Sequence, residues 1–160
     1  MRKTILCFIF FILLSCDKDN NNTEVLLLWD QAKLHYSLND FDATSITLNN
    51  ILVKYPDSEI IPDCLYLLHE LYLNQYQKHD ISLSYLNDII DRYPNHIAAK
   101  KALFTLAYIY SNNFESYTDA FDMYNKFIEK YPEDDLVKAA EYEIKNLQPH
   151  IESIENLINN

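Results

Sequence analysis

The dipeptide Tyr-Pro occurs as Tyr55-Pro56, Tyr93-Pro94 and Tyr131-Pro132, at intervals of 38 residues, and a basic residue (Lys54, Arg92, Lys130) precedes each copy. A fixed period of this size marks an array of repeated supersecondary units. Each Tyr-Pro follows an apolar run spaced by three and four residues. Leu86, Ile89, Ile90 and Tyr93 form one such run, and Tyr124, Phe127, Ile128 and Tyr131 another. That spacing is one face of a helix. Proline cannot continue a helix and pushes the residue before it out of the helical region. The triplet therefore predicts the end of a helix, with the tyrosine packing back on its last turn.

The intervals between prolines hold two helices each. "DCLYLLHELYLN" and "DISLSYLNDIIDRY" form one predicted pair, and "AAKKALFTLAYIYSN" and "YTDAFDMYNKFIEKY" the next. "LLLWDQAKLHYSL" and "FDATSITLNNILVKY" precede them, and "LVKAAEYEIKNL" follows. The predicted fold is all-α: an α-solenoid of about three helix-turn-helix repeats closed by a C-terminal capping helix, over residues 25–147. Pro149 is expected to break the last helix, leaving 148–160 as a tail or short helix. The sequence contains no glycine, which argues against glycine-rich phosphate loops and Asn-Gly hairpins. A formal charge of −11 disfavours nucleic acid, whose phosphates it would repel.

The start of the chain reads differently. Arg2 and Lys3 precede an apolar run from Ile5 to Leu14, about half the length that spans a bilayer. This is the pattern of a secretory signal. "LLSC", with Leu13 three residues before Cys16 and small Ser15 beside it, resembles the lipobox of bacterial lipoprotein signal peptides. The resemblance implies cleavage of residues 1–15 and acylation of Cys16, hence a membrane anchor. It implies a protein of the bacterial envelope, at the outer membrane, on its periplasmic face or at the cell surface. "DKDNNNTE" then reads as a flexible tether over residues 16–24. Losing Arg2 and Lys3 would take the charge from −11 to −13 and leave Cys64 as the one cysteine neither removed nor acylated. Cys64 lies in the apolar stretch "DCLYLL", as a small core side chain would.

"ALFTLAYIYSNNFESYTDAFDMYNKFIEKYP" resembles a tetratricopeptide repeat, with Leu103, Leu106, Ala107 and Tyr110 followed by Tyr117, Ala120, Tyr124, Phe127 and Pro132. "WDQAKLHYSLNDFDATSITLNNILVKYP" resembles one too. The middle copy departs, with His69 and Ser82 where small residues are expected, and the period exceeds the usual 34. The long period, the Tyr-Pro ending and the lipobox together resemble envelope tetratricopeptide lipoproteins of the BamD type and relatives of the Tol–Pal-associated coordinator.

No constellation for catalysis or metal binding stands out. The five histidines lack the i, i+4 spacing of a helical zinc site, and no serine sits in a glycine-flanked elbow. No cofactor is expected. Laid on the repeat register, Trp29, Tyr66, Phe104 and Tyr142 fall at equivalent positions, which by resemblance face the concave groove. Lys33, Glu70 and Tyr108 follow one turn later, with Asn146 in the cap. The mixture does not fit the Lys/Asn clamp that holds a C-terminal carboxylate. Tyr66, Phe104 and Tyr108 are the foremost expected contacts for a partner protein segment, with Trp29, Lys33 and Glu70 also assigned to the binding face; Trp29 and Tyr142 are the members of the ladder most expected to pack structurally. The function implied is a non-catalytic adaptor in an envelope complex. The alternative is a binding module for a non-protein ligand such as a glycan fragment, stacked on the aromatics.

Overall fold

The computed structural model describes residues 22–158; the signal segment, Cys16 and the first part of the tether lie outside them. Every regular element among the described residues is helical. In chain order they are α1 (22–37), α2 (Phe41–Lys54), α3 (Ile61–Asn74), α4 (His79–Arg92), α5 (Ile97–Asn112), α6 (Tyr117–Lys130) and α7 (Val137–Ile158). This matches the all-α expectation of helix-turn-helix repeats with a capping helix. The chain divides into two compact units, the first ending at Gln77 and the second starting at Lys78. In the first, α2 packs on α3. In the second, α4 packs on α5, α5 on α6 and α6 on α7.

The Tyr-Pro triplets close α2, α4 and α6 with nearly the same geometry. Tyr55, Tyr93 and Tyr131 have φ near −130° and ψ near 50°, outside the helical region as the following proline requires. Each still donates its N–H to the carbonyl four residues back: Tyr55 to Ile51 (2.9 Å), Tyr93 to Ile89 (3.0 Å) and Tyr131 to Phe127 (2.9 Å). Each carbonyl then accepts from the residue three further on, Ser58, His96 and Asp134. The last two cap the helix that follows. His96 Nδ1 accepts from Ala98 N (3.2 Å), and Asp134 Oδ1 accepts from Leu136 N (2.9 Å). Asp134 also pairs with Lys100. That hydrogen bond, then the one from Leu136, hold its carboxyl below the usual range.

The core follows the period. Leu48, Leu86 and Tyr124 are fully buried, as are Ile51, Ile89 and Phe127 at the next position. Thr44, Ser82 and Ala120 share a third buried position. Thr44 tolerates it by turning its hydroxyl back to the Asp40 carbonyl (2.8 Å), a habit of mid-helix threonines. Ala32, His69 and Ala107 are likewise buried. The middle repeat thus keeps its register with His69 and Ser82 where the others have alanine or threonine.

Three turns inside the helix pairs share an unusual residue. Asn39, Gln77 and Glu115 have positive φ, of 59°, 52° and 53°, and they too stand 38 residues apart. Each precedes the second helix of its pair by two residues. A glycine-free chain must put side chains in the left-handed region here, which costs about 1–2 kcal/mol for residues other than asparagine. Gln77→Gly and Glu115→Gly are therefore expected to raise stability by about 0.5–1 kcal/mol each, after the entropy that glycine adds to the unfolded chain. Asn39→Gly should change little. Urea denaturation followed by helix ellipticity checks all three.

Two boundaries differ from expectation. Residues 22–24, assigned to the tether, already belong to α1. The expected break at Pro149 does not occur: α7 runs through it to Ile158. Proline removes the hydrogen bond to the Lys145 carbonyl, but Lys145 and Pro149 are exposed, so water can serve that carbonyl. Contacts on both sides of the proline hold the helix. Leu147 is buried before it, and His150 stacks on Tyr117 of α6 after it, with centroids 4.5 Å apart.

Candidate functional site

The candidate contact residues fall in both units. In the second, α5 carries Phe104 and Tyr108 at i, i+4, on one face. Phe104 is half-buried. Its ring stands edge-on to Tyr124 and to Phe127, both at 5.4 Å, a favourable arrangement for aromatic quadrupoles. Phe104 is thus floor as much as surface. Tyr108 is 51% exposed and offers its ring to solvent one turn on. Tyr142 of α7, expected to pack inside the cap, is 64% exposed instead. The apolar positions of α7 that reach the core are Ala140 and Leu147, and Tyr142 falls off their stripe. Asn146 is exposed as well.

Beneath this surface lies a group that sequence reasoning passed over as core. Tyr124 is fully buried, and its hydroxyl has no hydrogen-bond partner among the described residues. Burial is the main cause raising its pKa, with Glu143 of α7 and Tyr108 of α5 adding to the shift. Glu143 and Tyr108 are thus near enough to act on the hydroxyl electrostatically. Buried polar groups are nearly always hydrogen-bonded, and an unpaired one has a cost of about 1–3 kcal/mol. The sequence signal was the substitution of tyrosine at a position where the other repeats have Leu48 and Leu86. At that position a polar atom enters the core only in this repeat.

In the first unit, Trp29 and Lys33 of α1 and Tyr66 and Glu70 of α3 hold the corresponding places. Trp29 is half-buried, with the Lys33 ammonium 5.4 Å from its ring centroid. Lys33 also pairs with Asp30 at 2.8 Å, an exposed contact of small energetic worth. Tyr66 is half-buried and meets the buried His69 edge-on at 5.5 Å. Glu70 lies close enough to the Tyr36 hydroxyl to add to the rise in its pKa that burial causes. Tyr36 was not among the expected residues, although it follows Lys33 by three and shares its side of α1.

Cys64 is fully buried, and burial, helped by Asp63, pushes its thiol up to about 12. A thiol held neutral and covered is a poor nucleophile. A chain starting at Asp17, whose one cysteine is Cys64, should stay unlabelled by maleimide when folded and label fully in urea. No group of three or more metal-ligating side chains occurs among the described residues. No helix there is long and apolar enough to cross a membrane.

Residues 101–134 match the tetratricopeptide repeat family. The match begins inside α5, spans α6 and ends two residues after Pro132, so it covers the turn at Glu115, the aromatic floor and the Tyr-Pro closure. The chain therefore contains a tetratricopeptide repeat within an all-helical fold. Such repeats serve as protein-interaction modules and are typically non-catalytic scaffolds. No curated protein matches the chain.

Proposed function

We propose that the protein is a lipid-anchored adaptor of the bacterial envelope, which captures a partner protein on the face of the second unit that carries Phe104 and Tyr108, the first unit offering a corresponding face with Tyr66 and Glu70 on α3 and Trp29 and Lys33 on α1. The observation that carries this reading is the surface over Tyr124. Tyr108 is exposed, and Phe104 one turn before it is half-buried, edge-on to the ring of the buried Tyr124. Exposed aromatic anchors on a well-packed, desolvated floor are what protein hot spots use. A partner segment in extended or helical form can cover these rings with its side chains. The lipobox-like "LLSC" supports anchoring through Cys16, with the partner an envelope protein. The net charge of −11 argues against a nucleic-acid partner.

Anchoring is tested by mass spectrometry of the protein purified from membranes of its own bacterium. An N-terminal peptide that begins at Cys16 and carries acyl chains is expected, and a Cys16→Ala chain should retain residues 1–15. An unmodified Cys16 on a mature chain would refute the anchor. Capture is tested by purification in mild detergent: a discrete co-purifying protein lost with Tyr108→Ala supports the groove, and one retained by that variant contradicts it.

A further inference from the structure

The outward face of α1 is the strongest unexplained surface. Leu27, Leu34 and Leu38 are 60%, 57% and 67% exposed. With exposed Gln31 they fall at spacings of four, three and four, opposite the side that buries Val25 and Ala32. The stripe carries no charge. On the register that aligns Trp29 with Tyr66 and Phe104, Leu27 and Leu34 correspond to Cys64 and Leu71 of α3 and to Ala102 and Ile109 of α5. All four of those are buried. In α3 and α5 this position belongs to helices that pack on the preceding repeat. In α1 the same apolar positions are kept, and no preceding repeat exists among the described residues.

We infer that this stripe lies against the lipid surface to which Cys16 is anchored, the bilayer taking the place of the missing preceding repeat. The inference rests on the anchoring proposed above. Five residues lie between Cys16 and residue 22, the first described residue of α1, a span of at most about 22 Å. An acylated Cys16 therefore holds the start of α1 within about two helix diameters of the membrane, and the helix reaches the surface along its length by lying flat. The stripe is wholly aliphatic apart from one amide. That suits the boundary of acyl chains and headgroups; protein interfaces favour tyrosine, tryptophan and arginine. Two ion pairs border it, Asp30 with Lys33 to one side and Glu24, one turn before Leu27, with Lys54 of α2.

The test uses the lipidated protein with an environment-sensitive dye on Gln31→Cys, in vesicles of phosphatidylethanolamine and phosphatidylglycerol. Cys64 is buried and needs no replacement. The dye should brighten several-fold and shift to the blue, and a dye on Glu129→Cys of α6 should not. Changing Leu27, Leu34 and Leu38 to glutamine should abolish the response at unchanged helix content, with Leu34→Gln alone giving a partial loss. A second arm holds the chain from Asp17 onward to nickel-chelating lipid through an N-terminal histidine tag. It gives the same response even if Cys16 proves unacylated, which separates failure of the anchor from failure of the stripe. A dye that stays dim on tethered protein overturns the inference. So does brightening without vesicles that grows with protein concentration, which would assign the stripe to a second copy of the chain.

Discussion

Phe127→Ala should destabilise the protein by about 3–5 kcal/mol, the usual cost of emptying a fully buried phenylalanine site. Phe127 has no exposed surface, and its ring is wedged between Phe104 (5.4 Å) and Tyr131 (5.5 Å). Truncation removes one edge-on ring contact and one tilted one along with the buried area. The backbone bond from the Tyr131 N–H to the carbonyl of residue 127 survives the change, so the loss is one of packing. Ellipticity in urea should show the loss as an earlier midpoint. Val53→Ala is the comparison: Val53 is 80% exposed, and its loss should stay within about 0.5 kcal/mol. Equal effects of the two would mean that the aromatic floor is not the core of the second unit.

The second large effect separates stability from binding. Tyr124→Phe removes a buried hydroxyl that has no partner among the described residues. The free protein should gain about 1–3 kcal/mol, because the desolvated group was uncompensated. The same change should leave capture of the partner unaltered, since the hydroxyl is covered and out of a partner's reach. Tyr108→Ala should leave stability within about 0.5 kcal/mol and cost at least about 2 kcal/mol of partner binding, a factor of roughly thirty. The contrast between the two variants distinguishes the exposed contact from the floor beneath it. A loss of stability in Tyr124→Phe would mean that the hydroxyl already has a partner in the free protein.

The architecture was legible because its punctuation is chemical. Tyr-Pro imposes a backbone conformation through proline sterics, so its period survived translation into structure at Tyr55, Tyr93 and Tyr131 with one geometry. Burial of Cys64 was legible from the apolar run around it. Pro149 misled because a local rule was applied to a helix held by remote contacts: Tyr117 under His150, and Leu147 in the core. The left-handed turns at Gln77 and Glu115 were invisible for the opposite reason. Glycine and asparagine advertise such a turn, whereas glutamine and glutamate occupy it only because the flanking helices force it. The aromatic positions were found by register, but register does not say how deep a ring sits. Phe104 is half-buried and Tyr142 exposed according to which neighbours α6 and α7 present, and that depends on side chains far away in sequence.

The account's central claim is that the face carrying Tyr108 binds a partner protein. Its most direct test is a photoreactive residue at position 108 of the lipidated protein, irradiated in living cells, with the same residue at Glu129, exposed on α6, as the control. The account predicts a discrete adduct with one protein from position 108 and none from 129. Equal labelling at both positions, or no protein adduct at 108, would contradict it.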